Sequence, residues 1–328
     1  MANSSKNLRI VFMGTPEIAV ASLQAIIKSG YDVVGVVTTP DKPAGRGRKV
    51  KQSAVKEYAL EQNIKVLQPP KLKDPDFLNE LKSLNPDIQV IVAFRKVPTE
   101  VWSLPSKGTI NMHASLLPDL RGAAPINWAV IYGYKITGVT TFFINDEIDK
   151  GNIILKETVI IDNNETAGTL HDKLMVTGAE IVIKTIKLIE SGEVKEVPQE
   201  DIIDKESVLN PAPKIFKEDC EINWNKKCDE VANFINGLTP YPGAYAKLNI
   251  NENVGIANYK ILKIHCIKEN HNYKAGTVLS DGKKQIKIAV IDGFIDILTI
   301  QEPGKRPLST PEYIRGVKKL VNFLFFEN

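Results

Sequence analysis

Cysteine, histidine and glycine-rich turns are all scarce in this chain. Among its 328 residues are 3 cysteines and 4 histidines. Cys220, Cys228 and Cys266 form no CxxC pair, and their odd number fits a reducing compartment better than a disulfide framework. They are expected as buried or indifferent thiols. His113, His171, His265 and His271 stand at no ligand spacing with carboxylates or cysteines, so no metal site is expected. No window approaches the roughly 18 consecutive apolar residues of a membrane span. The N-terminus runs into a core strand without an apolar leader, which makes a cytoplasmic enzyme the default expectation.

Charge of one sign is also lacking. The net charge of +3 is too small to argue for nucleic acid by itself. Residues 205–328 hold 18 basic and 14 acidic side chains, which leaves 24 (42 − 18) and 25 (39 − 14) for residues 1–204. The second part is thus mildly basic and the first nearly neutral. Apolar content of 43% and charged content of 25% are ordinary for a globular protein. The length suggests two domains.

Continuous apolar runs at 8–13, 33–38, 88–93, 109–112, 139–143 and 153–160 read as buried strands. Helical patterns lie at 53–62, 75–84 and 123–133, and a long one at 167–191. A further helix follows the first strand, with Thr15 as its N-cap, Pro16 as its first residue and Gly30 as its stop. Strands with little alternation, separated by helices, specify an α/β unit with a doubly wound, mostly parallel sheet. After an irregular stretch, about 192–213, short strands and turn signals take over. Asp281-Gly282 and Asp292-Gly293 are tight-hairpin signals. A small five-stranded OB-like β-barrel fits this spacing, closed by a helix that Ser309-Thr-Pro-Glu312 opens. The expected domains are 1–204 and 205–328.

The turn after the first strand carries one glycine, Gly14, where a dinucleotide fingerprint needs three, so nicotinamide binding is disfavoured. The chemistry concentrates elsewhere, in Gly108-Thr-Ile-Asn-Met-His-Ala-Ser-Leu-Leu-Pro118. Residues i and i+2 of a strand share a face, so Asn111 and His113 can reach one pocket. An Asp-rich turn at 144–151 offers Asp146, Glu147 and Asp149, and composition alone does not choose among them. An amide beside an imidazole, with a carboxylate to orient it, suits stabilising an oxyanion and moving a proton. The run Lys42, Arg46, Arg48 and Lys49, with Gly45 and Gly47, reads as a flexible basic loop suited to phosphates. Trp102, Trp128 and Trp224 read as core residues, His171 and His265 as structural, and His271 as a solvated turn residue.

Ser115-Leu-Leu-Pro118 followed by Leu120-Arg-Gly-Ala-Ala-Pro-Ile126 resembles the signature of folate-dependent formyltransferases. The resemblance extends to Phe12-Met-Gly-Thr-Pro-Glu17, the segment 39–48, Ile144-Asn-Asp-Glu-Ile-Asp149, Asn223-Trp224 and Pro240-Tyr-Pro242, and spans about residues 8 to 325. It implies a Rossmann-like formyltransferase domain with Asn111, His113 and Asp149 as catalytic residues. It further implies 10-formyltetrahydrofolate as donor and the amino group of methionyl initiator tRNA as acceptor. A family member acting on a small amine, such as glycinamide ribonucleotide or an amino sugar, is the alternative. Folate contacts are expected from Ser115, Leu116, Leu117 and Pro118, and from Phe94, Arg95 and Val97. tRNA contacts are expected from Lys42, Arg46, Arg48 and Lys49. The protein is expected to act as a monomer. Asp119, Lys150 and Phe94-Arg-Lys-Val-Pro98 depart from the family pattern.

Overall fold

Ile10, Val11, Phe12 and Met13 are all fully buried, so the strand that carries them is covered on both faces. In the computed structural model, which describes residues 8–44, 49–203, 208–250, 253–317 and 324–325, that strand is β1 (Arg9–Gly14). Along the chain follow α1 (Glu17–Lys28), β2 (Asp32–Val37), β3 (Lys42–Ala44), β4 (Lys49–Lys51), α2 (Ala54–Glu61) and β5 (Val66–Leu67). Then come α3 (Pro75–Ser83), β6 (Ile88–Val92), α4 (Thr99–Trp102), β7 (Thr109–His113) and α5 (Pro125–Ile131). β8 (Ile136–Phe143), β9 (Ile153–Ile160) and the long α6 (Ala167–Ser191) complete the first half.

The first sheet has the order β5-β2-β1-β6-β7-β8-β9. Its strands pair in parallel from β5 to β7, and β8 and β9 add antiparallel pairs at one edge. The expected doubly wound, mostly parallel sheet is thus present. Its strand order reverses about β1, between β2 and β6, where ligand clefts form beyond the carboxyl ends of the strands. Gly14 ends β1 there. A Cβ at Gly14 would lie 2.6 Å from Ala19 Cβ and 3.0 Å from the Val92 carbonyl, so its glycine serves close packing. The helix start differs from expectation. Pro16 is the N-cap, with extended backbone, and α1 begins at Glu17. The Thr15 hydroxyl is buried and, among the described residues, has no hydrogen-bond partner, so it does not cap the helix.

Two compact units emerge from the chain. The first takes residues 1–122, 136–160 and 171–211, and the second takes 123–135, 161–170 and 212–328. The second unit holds α7 (Cys228–Gly237), β10 (Tyr245–Leu248), β11 (Ala257–Lys268), β12 (Val278–Ser280), β13 (Ile286–Val290) and β14 (Gly293–Gln301). β15 (Leu308–Ser309), α8 (Thr310–Gly316) and β16 (Leu324–Phe325) end it. Its sheet runs β10-β11-β14-β13-β12-β16, with β15 on β14. All pairs are antiparallel except β12–β16. Where a small OB-like barrel was expected, the sheet is a half-barrel, and among the described residues no pair joins β10 to β12. Val231 and Ile235 of α7 pack into it against Tyr259, Ile261, Ile288 and Ile295, each contributing about 1.5–3 kcal/mol on full burial. α8 opens where expected, and the Glu312 carboxylate caps it by accepting from both the backbone N–H and the hydroxyl of Ser309.

Three expectations are corrected in this unit. Asp281-Gly282 does not make a tight hairpin. Residues 281–285 separate β12 from β13, because Asp281 Oδ1 accepts from the N–H groups of Lys283, Lys284 and Gln285 and stabilises a longer loop. His271 is not solvated. It is half-buried: its Nε2 faces the carbonyls of Val290 and Gly293, and its ring packs at a tilt against Phe294 with centroids 4.4 Å apart. Cys228 and Cys266 are paired in a disulfide, their Cα atoms 5.9 Å apart, leaving Cys220 as a buried thiol. The packing of α7 across β11 brings the two together, and a separation of 38 residues carries no trace of it. Among the described residues no helix is long and apolar enough to cross a membrane.

Candidate active site

Strand alternation divides β7 into two faces. Met112 points to the side covered by α6, where a Cβ at Gly178 would lie 2.8 Å from Met112 Cε. Asn111 and His113 therefore project together to the other side. The amide of Asn111 is partly exposed and makes no protein hydrogen bond among the described residues. His113 is 7% exposed. Its Nε2 lies 2.9 Å from the carbonyl oxygen of Leu120, which can only accept, so Nε2 carries the hydrogen. Nδ1 is left facing Asp149 Oδ2 at 3.9 Å. That is too long for a hydrogen bond, so the carboxylate faces this nitrogen without bonding it.

The structure distinguishes the three carboxylates of the 144–151 turn. Asp146 accepts from the Thr99 hydroxyl at 2.7 Å, and Glu147 is paired with Lys150. Only Asp149 lies beside His113, and its Oδ2 also accepts from the Gly122 N–H at 3.0 Å. Asp149 and Leu120 have φ of +55° and +57°, a region uncommon for residues other than glycine. Both sit where the backbone must turn sharply to present a group to His113.

The loop 115–120 is tied to itself and to β8. The Ser115 hydroxyl donates to the Asp119 carbonyl at 2.7 Å, and the Thr140 hydroxyl donates to the Ser115 carbonyl at 2.7 Å. The Leu117 N–H donates to Thr140 Oγ1 at 3.1 Å. Ser115 and Leu117 are fully buried, whereas Leu116 and Pro118 are half-buried. The departures Asp119 and Lys150 both have partners. Asp119 Oδ1 accepts from the Asn210 N–H at 2.7 Å, and Lys150 pairs with Glu147.

A cavity of about 500 Å³ in the same unit is lined by Leu72, Arg95, Val97, Thr99, Trp102 and Asp146, among others. That size matches a drug-sized ligand. Arg95 is no free surface charge. Its guanidinium donates to the carbonyls of Pro69 and Pro70 and lies 5.6 Å from the Phe94 ring centroid. Burial lowers its pKa from the ordinary value.

The basic segment departs from a simple flexible loop. β3 and β4 pair antiparallel, Lys42 opposite Lys51 and Ala44 opposite Lys49. Lys42 is exposed. Arg46, Arg48 and the side chain of Lys49 lie outside the described residues. At the root of this hairpin Asp41 bonds Lys56 at 2.6 Å and Gln68 at 2.8 Å. The Lys56 ammonium, then the Gln68 amide, hold its carboxyl below the usual carboxylate range.

Sequence reasoning missed the Leu120 carbonyl, which has no side-chain signature. It also missed Gln199, fully buried beside Asp149. A polar residue just after Pro198 in an otherwise exposed stretch was the one available sign.

A mostly parallel α/β sheet that carries an amide and an imidazole on β7 with a carboxylate facing the imidazole, followed in sequence by an antiparallel half-barrel, suits an enzyme that stabilises an oxyanion and moves a proton. Residues 8–186 match the formyl transferase family and residues 214–318 match its C-terminal domain; the chain belongs to that family. A methionyl-tRNA formyltransferase of Flavobacterium johnsoniae is 53% identical over 313 residues, 95% of this chain and 97% of that one. One of Bacteroides thetaiotaomicron is 50% identical over 313 residues, again 95% and 97%. In fold, the chain resembles HypX from Aquifex aeolicus in complex with tetrahydrofolic acid, with a TM-score of 0.63 at 19% identity. That match covers 98% of this chain and 49% of that one, so this chain spans about half of HypX. The N-formyltransferase from Helicobacter canadensis, in complex with folinic acid and dTDP-3-aminofucose, gives a TM-score of 0.63 at 23% identity, over 88% and 98%.

Proposed function

We propose that this chain transfers the formyl group of 10-formyltetrahydrofolate to the amino group of methionyl initiator tRNA. The full-length likeness to methionyl-tRNA formyltransferases at about half identity supports the substrate pair. The observation that carries the chemistry is the His113 ring, tethered at Nε2 to Leu120 and open at Nδ1 toward Asp149.

In this reading the Asn111 amide donates to the formyl oxygen as the amine nitrogen bonds to the formyl carbon and the C=O π pair moves onto oxygen. The attacking nitrogen becomes acidic, and its proton passes to His113 Nδ1, directly or through water. The Asp149 carboxylate favours the imidazolium that forms. The imidazolium and Asn111 together stabilise the oxyanion until the carbonyl reforms and the bond to folate nitrogen breaks, that nitrogen taking up the proton. The folate supplies the formyl carbon and leaves as tetrahydrofolate.

The cavity beside Trp102 and Val97 has the size and mixed lining for part of a reduced folate. Arg95 and Val97 line it; in this reading they and Phe94 approach the pterin largely through backbone groups, and the loop Ser115, Leu116, Leu117 and Pro118 also contacts the folate. Residues 1–204 form the catalytic domain in this reading, and 205–328 form a tRNA-binding domain. Lys42, Arg46, Arg48 and Lys49 contact acceptor-stem phosphates, and the enzyme works as a cytoplasmic monomer. The test is an assay of the purified protein with 10-formyltetrahydrofolate and charged initiator tRNA, monitoring folate release. Free methionine, glycinamide ribonucleotide and an amino sugar are run beside it. Turnover confined to the charged tRNA supports the reading, and preference for a small amine overturns it.

A further inference from the structure

Two residues present the proton-handling pair, and each is bound to the segment that follows α6. Leu120 aims its carbonyl at His113 Nε2, and its N–H donates to the Asn210 carbonyl at 2.9 Å. Asp149 aims its carboxylate at His113 Nδ1, and its carbonyl accepts from Gln199 Nε2 at 2.9 Å. Both have left-handed backbone without being glycine, so each needs outside bonds to keep its conformation.

Gln199 is placed for this by a short bridge two residues earlier. Val197 and Ile153 exchange backbone hydrogen bonds at 2.8 and 2.9 Å, beside the start of β9. From there the fully buried Gln199 amide uses every polar atom it has. Nε2 donates to the carbonyls of Asp149 and Gly151, both at 2.9 Å. Oε1 accepts from Arg121 Nε at 3.0 Å and from Nη2 of the same guanidinium. One side chain therefore pins the 149–151 turn to Arg121, next to Gly122, whose N–H donates to Asp149 Oδ2. At the other end Asp119 Oδ1 accepts the Asn210 N–H at 2.7 Å. A buried amide with all its bonds made fixes a geometry that a surface contact cannot.

We propose that Gln199 is a positioning residue for catalysis, with Asp119 and the Asn210 backbone as the matching hook, together setting the His113–Asp149 geometry. The proposal rests on the reading that His113 and Asp149 handle the proton of the attacking amine. Gln199 touches neither substrate in this scheme. It acts by holding Asp149 opposite His113 Nδ1, and small misplacement of such groups is costly to rate.

Gln199→Glu tests it with little change of shape. The carboxylate still accepts from Arg121 but donates nothing to Asp149 or Gly151. Asp119→Ala releases the second hook. Each variant is measured for kcat, for KM of folate and tRNA, for the pH dependence of kcat, and for thermal midpoint, with His113→Ala assayed in parallel. We expect kcat to fall about ten- to a hundredfold in Gln199→Glu, with both KM values within about threefold and the pH limb of the parent displaced. Asp119→Ala moves in the same direction. Parental kcat and an unmoved pH limb in both variants overturn the proposal. A loss of kcat that only tracks lost thermal stability, with the limb in place, overturns it too. Full activity of His113→Ala would instead defeat the underlying mechanism, whatever the Gln199 result.

Discussion

His113 donates from Nε2 to the backbone carbonyl of Leu120 across 2.9 Å, in a site where only 7% of the histidine is exposed. That single bond settles the tautomer. Sequence reasoning gave the task to Asp149, but its nearest oxygen is 3.9 Å from Nδ1 and cannot hold a hydrogen there. The two jobs are divided between groups. A neutral carbonyl fixes which nitrogen carries the hydrogen, and the carboxylate faces the other one.

Asp149→Asn separates those jobs. The asparagine oxygen can still accept from the Gly122 N–H, so the turn keeps its bond while the negative charge disappears. Loss of assistance to proton transfer lowers kcat about 10²–10⁴-fold, with KM for folate and tRNA little changed. Steady-state kinetics near neutral pH check this, and a kcat within about threefold of the parent removes the carboxylate from the mechanism.

His113→Ala removes the nitrogen assigned to accept the proton. The ring is enclosed, so its loss leaves a small void, and folding survives at some expense of stability. Formyl transfer should fall below detection while tRNA binding, measured by filter retention or fluorescence, stays near parental. Ample transfer by this variant would falsify the assignment of His113.

Much of this architecture was legible because apolar periodicity reports burial. α6 and β9 fall where the runs at 167–191 and 153–160 place them, and a helix opens at Thr310, within the Ser309–Glu312 segment read as its start. Direction was not legible. β8 and β9 run antiparallel at the sheet edge, and hydrophobicity is blind to the sense of pairing. The site divided along the same line. Asn111 and His113 announce themselves by type and by i, i+2 spacing. In the sequence only the family resemblance separates Asp149 from Asp146 and Glu147, and the tautomer depends on a main-chain carbonyl. Composition decides neither. Cys228 with Cys266, and His271 on Phe294, were missed for a related reason, since each pair is made by packing of distant segments.

The basic hairpin invites an ionic-strength experiment. Neutralising Arg46, Arg48 and Lys49 together should raise the apparent KM for tRNA, most visibly at low salt. A plot of log affinity against log salt should flatten by about one unit of slope per lost phosphate contact. Turnover at saturating tRNA should change little, because in this reading the three act in tRNA binding and not in the chemical step. An unaltered slope would show that these side chains do not meet phosphates.

Asp296 offers a test of stability against pH away from catalysis. It sits on β14 with its carboxylate accepting from Gln285 at 3.0 Å. Burial pushes its carboxyl above the usual range, only partly offset by the Gln285 amide, Lys287 and His265, while Asp281 adds to the rise. The folded state therefore holds this proton more tightly than the unfolded chain, whose value is about 3.9. The sign follows from linkage: folding is disfavoured by this group once it ionises, fully so above the folded pKa, and not at all below the unfolded one. Asp296→Asn keeps a hydrogen-bond acceptor for Gln285 and removes the charge. Its thermal midpoint should exceed that of the parent near pH 7, and the gap should close as pH falls through the folded pKa toward the ordinary carboxylate value. Calorimetry across that interval decides it, and a gap that stays constant or widens on acidification would mean that the charge of Asp296 is not what burial opposes.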